Sequence, residues 1–279
     1  MTPRNIGYKV AEIASDIKRL LSPRDRRNVC DNLSVVLADQ PLSVVRKHVK
    51  QVFRNFGKYL VDFFRYPLMD NQFLQENVTV VNRHFIDQAA EGAKGVIIVS
   101  AHFGNWELGA ALMPYLGYTF NAIVLYNRNR YVNNFFVRQR QNMGANVILV
   151  GNAIKKSVQA LKNNQILALV ADWDFTGHAI EVSFFGRKTR MPKGPAILSV
   201  ITGAPIVPGF VIRQKDDTFT LIFEKPLTPS RSLKQPQRIR ELVEGYSLIF
   251  ENYIRRYPDQ WYAFRSYWRK QREHAICRK

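Results

Sequence analysis

The stretch Val96-Ile-Ile-Val-Ser-Ala-His-Phe-Gly-Asn-Trp-Glu107 decides the fold. Its first part, 96–101, is an apolar run without polar alternation, which predicts a strand buried on both faces. Asn105 has the short polar side chain favoured at a helix N-cap, so a helix is expected from Trp106 onward, with Glu107 in its first turn. His102 then falls in the loop between strand and helix. In open α/β sheets, groups at the carboxyl ends of strands face the crevice where ligands bind. A carboxylate there can accept the proton on one imidazole nitrogen, fixing the tautomer, while the other nitrogen takes a proton from an attacking hydroxyl. The blander alternative is a core histidine, with Glu107 complementing the helix dipole.

Further short apolar runs at 120–126, 146–151, 166–173, 206–213 and 219–223 read as strands, with helices expected at 106–116, 132–143, 154–163 and 195–202. The fold class is therefore α/β, with a mixed, mainly parallel sheet flanked by helices. The five residues 214–218 are too few for a helical crossover, so the last two strands form a hairpin and one sheet edge should be antiparallel. The basic stretch Gly186-Arg-Lys-Thr-Arg-Met-Pro-Lys-Gly194 reads as a loop. A final helix is expected at 236–257.

At the front, Ile6, Val10, Ile13, Ile17, Leu20 and Leu21 recur at helical spacing, which predicts an amphipathic helix whose apolar face is buried by a core, a partner or a lipid interface. The stretch 45–66 is basic, and its Phe53, Phe56, Tyr59, Leu60, Phe63 and Phe64 form an aromatic stripe expected to pack in the core. Residues 1–66 are expected to form an N-terminal amphipathic, basic region in contact with a membrane surface, and 67–279 the α/β core, the two packed as one domain.

The chain has 279 residues, 46% of them hydrophobic, with 15 Gly and 13 Pro, which excludes disordered and fibrous classes. Lys and Arg number 41 against 22 Asp and Glu, a net charge of +19, which calls for an anionic partner: lipid surface, nucleic acid or acidic protein. Cys30 and Cys277 match neither a disulfide framework nor a metal-ligand spacing and are expected as free thiols. Charged residues interrupt the N-terminal apolar positions, so no secretory signal is expected. His48, His84, His178 and His274 do not lie at zinc-ligand spacing with His102.

In Ser-Ala-His-Phe-Gly-Asn-Trp-Glu-Leu the sequence resembles the lipid A biosynthesis acyltransferases of the lauroyl and myristoyl type, within the wider glycerolipid and lysophospholipid acyltransferases. Their signature is a histidine followed five residues later by Asp or Glu, here His102 and Glu107, in the form carried by the lipid A branch and its phosphatidylinositol mannoside relatives. Val137-Arg-Gln-Arg140 before Gly144, Ala171-Asp-Trp-Asp174 before Gly177, Phe184-Phe-Gly186 with Gly194-Pro-Ala196, Thr202-Gly-Ala-Pro-Ile-Val-Pro208 and Tyr257-Pro-Asp-Gln-Trp-Tyr262 follow in the family's order. Together they cover most of residues 96–269.

The resemblance implies transfer of a fatty acyl chain from an acyl-carrier-protein or coenzyme A thioester to a hydroxyl of a membrane glycolipid or lysolipid. It makes His102 the general base and Glu107 its partner, with Arg138 or Arg140, Asp172 and Asp174 lining the site. Arg138 and Arg140 are two apart on a helix and face different sides, so one at most enters the site. Backbone N–H groups near Gly104 and Asn105 are expected to bind the oxyanion. Arg187, Lys188, Arg190 and Lys193 are expected to grip phosphates of acceptor or donor. No metal or redox cofactor is expected, and no nucleic acid.

The lipid A enzymes usually carry an apolar spanning helix at the front, where this chain has the amphipathic stretch 6–21. Attachment is thus expected to be peripheral, on the anionic cytoplasmic face of the bacterial inner membrane. Two rival functions remain at this stage, a thioester or lipid hydrolase using the same pair and a basic nucleic-acid-binding protein.

Overall fold

The computed structural model describes residues 3–125, 129–150, 153–175, 177–230 and 232–268. Three helices lead: α1 (Arg4–Leu21), α2 (Pro23–Val36) and α3 (Leu42–Arg65). There follow α4 (Asn71–Asn77), β1 (Val78–Val81), α5 (Arg83–Glu91), β2 (Val96–Ser100), α6 (Trp106–Tyr115), β3 (Phe120–Val124), α7 (Arg130–Asn142), β4 (Asn146–Leu149), α8 (Ala153–Lys162) and β5 (Ile166–Val170). The chain continues through β6 (Ala179–Phe184), β7 (Arg187–Pro192), α9 (Gly194–Thr202), β8 (Ile206–Arg213), β9 (Phe219–Phe223) and α10 (Gln235–Arg256).

Seven strands form one sheet in the order β1-β9-β8-β2-β5-β3-β4. From β8 to β4 all neighbours are parallel, while β9 runs antiparallel to β8 and parallel to β1. The expected α/β class, mainly parallel, is the observed one. The 214–218 hairpin is also present, but β9 is not the edge strand, because β1 lies outside it. Four residues with a half-buried pattern gave β1 too little contrast to read as a strand.

Successive residues of β2 point to opposite faces, so Ile97 and Val99 enter one core and Val96 and Ile98 the other. The first core is closed by α2, α3, α9 and α10, the second by α5 and α6. As expected, α3 buries Phe53, Tyr59 and Phe63, while Phe64 is exposed.

The basic stretch expected as a loop is instead β7, paired antiparallel with β6 across a turn at Phe185 and Gly186, both with positive φ. Thr189 and Met191 face inward between exposed Arg187, Lys188 and Arg190, a period of two that the dense positive charge conceals. Cys30 is buried, and Cys277 lies outside the described residues.

Helix α1 packs on α3 through its polar and small face. Tyr8 and Ser15 are buried, and at Gly57 of α3 there is no room for a Cβ against the Ser15 hydroxyl and the Ala11 carbonyl. Its apolar stripe faces outward: Ile6, Val10, Ile13, Ile17, Leu20 and Leu21 are all exposed. Among the described residues, no helix is long and apolar enough to cross a membrane.

Candidate active site

The parallel register of β2 and β5 sets the site. Ser100 pairs with Val170, so His102 and Asp172 leave the carboxyl ends of adjacent strands at the same height. The ring Nδ1 of His102 lies 2.7 Å from Asp172 Oδ1. The other oxygen of Asp172 accepts from Tyr267 Oη at 2.9 Å and Trp261 Nε1 at 3.3 Å. Asp172 is buried and completely engaged, whereas the His102 side chain keeps 33% of its surface exposed. Nε2 of His102 has no hydrogen-bond partner among the described residues and is left for a ligand.

Burial alone would lower the His102 pKa. The Asp172 carboxylate, with a smaller contribution from Glu107, outweighs burial and Arg265, raising the pKa above the ordinary histidine value of 6.5. Burial would also raise the Asp172 carboxyl, but the imidazole and the Tyr267 hydroxyl hold it below the usual carboxylate range. The arrangement fixes Nδ1 as the ring's donor and prepares Nε2 to accept a proton.

Glu107, the expected partner, makes no hydrogen bond to the imidazole. Its carboxylate is held in a fork by Arg140, whose Nε donates to Oε2 at 2.9 Å and whose Nη2 donates to Oε1. The residue lies in the first turn of α6, capped by Asn105 Oδ1 accepting from Leu108 N–H at 3.2 Å, which is where the sequence placed it. His102 therefore meets the carboxylate at the end of β5.

The expected oxyanion donors are also displaced. The Gly104 N–H donates to the Gln260 carbonyl at 2.9 Å and the Asn105 N–H to the Val211 carbonyl at 2.8 Å, and both residues are buried. Both N–H groups are thus engaged within the protein and secure the loop. Gly104 is at φ +58°, and any Cβ there would collide with the Val211 carbonyl, so only glycine fits.

His102, Glu107, Arg140 and Asp174 line one cavity of about 1140 Å³ that is mainly apolar. Its lining includes Ile98, Met113, Phe120 and Phe223, from the sheet and α6. It also includes Ala153, Ile154 and Leu198, from α8 and α9. Trp106, stacked on Tyr59 at 4.2 Å, and exposed Phe175 flank the imidazole.

Of the expected arginine pair, Arg140 enters the site and Arg138 is exposed outside it. Arg187, Lys188 and Arg190 stand on the β7 surface and do not themselves line the cavity. Lys188 pairs with Glu181 at 3.2 Å, Arg190 with Asp174 at 3.7 Å, and Arg187 lies over the Trp268 ring. Lys193 does line the cavity.

Sequence reasoning missed Trp261 and Tyr267 as the groups that saturate Asp172. The aromatic run at 257–268 was the available signal: it folds back under the loop, where the Tyr262 N–H donates to the His102 carbonyl at 2.9 Å.

A mainly parallel sheet with a histidine–carboxylate pair at the carboxyl ends of its strands, beside a mainly apolar cavity, is an α/β site suited to an apolar substrate. Comparison with known proteins agrees. The model of the bacterial lipid A biosynthesis acyltransferase family matches residues 2–270, so the chain belongs to that family and is an acyltransferase. Among curated proteins it is 24% identical to a phosphatidylinositol mannoside acyltransferase of Mycolicibacterium smegmatis, over 85% of this chain and 77% of the relative. It is 28% identical to one from Mycobacterium tuberculosis, over 63% and 58%. A lipid A biosynthesis palmitoleoyltransferase of Escherichia coli is 22% identical, over 82% and 74%.

Proposed function

We propose that the protein moves a fatty acyl chain from an acyl-carrier-protein or coenzyme A thioester to a hydroxyl of a membrane glycolipid or lysolipid, with His102 as general base. The observation that carries this reading is the His102–Asp172 hydrogen bond at the head of the apolar cavity, with Nε2 facing the ligand space. Neutral His102 takes the hydroxyl proton at Nε2 as that oxygen attacks the thioester carbonyl. The tetrahedral intermediate collapses, breaking the C–S bond, and the departing sulfur takes the same proton back from Nε2. Asp172 holds the tautomer and stabilises the imidazolium through the cycle. The apolar cavity receives the acyl chain and excludes water, which favours transfer over hydrolysis.

The exposed stripe of α1, with a net charge of +19, supports peripheral attachment to an anionic lipid surface at the cytoplasmic face of the inner membrane. The test is acyl transfer to a glycolipid presented in phosphatidylglycerol vesicles. His102→Ala should fold and float with the vesicles but lose about 10²–10⁴-fold in rate. A folded mutant retaining more than roughly a tenth of the rate would remove His102 from the chemistry. Release of free fatty acid in place of acylated lipid would make the protein a hydrolase.

A further inference from the structure

Bonded to Asn105 in the loop that follows β2 lies a second charged cluster that the chemistry above does not use. Asp62, in the middle of the apolar face of α3, is completely buried, and Arg213 at the end of β8 nearly so. Asp62 Oδ2 accepts from Arg213 Nη2 and from the Asn105 side-chain Nδ2 at 3.0 Å. Its Oδ1 accepts from the Tyr8 hydroxyl of α1, and Arg4 Nε stands 3.5 Å from the same oxygen. Arg213 Nη1 in turn donates to Tyr8 Oη at 2.9 Å and to Asp217 Oδ1 at 3.3 Å.

Stability alone is a weak reason to bury such a pair. Desolvation offsets most of the attraction, and apolar residues of similar volume usually serve the fold as well. What the cluster does uniquely is fix one carboxamide. The Asn105 Nδ2 is held by Asp62, while its Oδ1 accepts from the Tyr66 hydroxyl at 2.7 Å and from the Leu108 N–H. Held at both ends, the side chain cannot flip or turn. Its backbone N–H is bonded to the carbonyl of Val211, two residues before Arg213 on the same strand. The turn that presents His102 is thus clamped from side chain and backbone at once. Two contributors, Arg4 and Tyr8, come from α1, the helix whose other face is the exposed apolar stripe.

We infer that Asp62, with Arg213 and Tyr8, is a positioning group for the reaction loop, holding Asn105 so that His102 keeps its place at the head of the cavity, and that α1 contributes to this through Tyr8. Small displacements of a base are costly, because proton transfer and attack need near-contact geometry.

The experiment uses the full chain with Tyr8→Phe, which deletes one hydroxyl, and Asp62→Asn, which deletes the charge. Hydrogen exchange of the peptide covering 103–109, kcat and KM are measured together with Tm. Tyr8→Phe should speed exchange at 103–109 by about tenfold, the worth of one hydrogen bond, and lower kcat about three- to tenfold, with KM within about twofold. Asp62→Asn should do both more strongly. If it does not fold, Tyr8→Phe decides alone. Unchanged exchange at 103–109 with kcat within about twofold of wild type overturns the inference, as does a loss confined to KM. The rate readout rests on the acyl-transfer reading and the exchange readout does not. A wild-type chain inactive in acyl transfer would thus overturn that reading and leave exchange to decide this one.

Discussion

Asp172 and Glu107 both act electrostatically on His102, one 70 residues along the chain and the other five. Their surroundings differ in kind. The second oxygen of Asp172 is satisfied by two neutral donors, the Trp261 indole and the Tyr267 hydroxyl, so its negative charge remains for the imidazole. Glu107 is paired with a guanidinium, and its contribution to the ring is smaller than that of Asp172. A carboxylate near a histidine is therefore its partner only if nothing stronger has already paired with it. Proximity in sequence carries no such information.

The largest effect that separates the two residues is expected from Asp172→Asn. Asparagine keeps the shape but removes the charge and can favour the wrong tautomer, so the rate should fall by about 10²–10⁴-fold. The pH profile should move as well. A general base works neutral, so wild-type kcat/KM should rise with pH through a pKa above 6.5, the His102 value raised by Asp172. Without that carboxylate burial dominates, and the acid limb should shift to lower pH even as the plateau falls. Stability carries the same sign. A raised imidazole pKa contributes stability that is fully present below about 6.5 and lost as pH rises through the folded value, and Asp172→Asn should abolish this dependence. An unmoved acid limb would show that Asp172 does not govern the titration of His102.

The sequence made the reaction loop legible because its signals are local: an unbroken apolar run, an N-cap asparagine and a glycine. It did not show which strand lies beside β2. That neighbour is set by the β2–β5 register, through which Asp172 arrives at the height of His102. The Gly104 and Asn105 N–H groups looked available for the same reason, since the carbonyls that take them belong to Gln260 and Val211, far along the chain.

The two long N-terminal helices show another limit. Both have strong apolar periodicity, yet α3 turns its aromatic stripe into the core and α1 turns its aliphatic stripe to the surface. Periodicity identifies a face without saying what covers it. The polar face of α1 gave the better hint, in Tyr8 and the small residues that let it approach Gly57.

A smaller loss of rate is expected at Glu107, and it is the sharper test of the comparison. Glu107→Gln leaves the Arg140 guanidinium, only 14% exposed, without its counter-charge beside the cavity. Breaking one side of a buried pair costs about 3–5 kcal/mol, so Tm should drop by roughly 10 °C in a domain of this size. The rate should fall by no more than about tenfold, because the Asp172 bond to the ring is intact and about 1.4 kcal/mol of transition-state stabilisation is worth that factor. Removing both charges, in Glu107→Gln with Arg140→Met, should recover much of the lost stability, since the uncompensated cation is then gone. Thermal midpoint and initial rate measured on the same preparations distinguish the outcomes. Had Glu107 been the partner of the imidazole, Glu107→Gln would instead abolish turnover to the depth of Asp172→Asn at an unchanged Tm, and the double variant would rescue nothing. That result would reverse the roles of the two carboxylates and make the Asp172 bond a structural one.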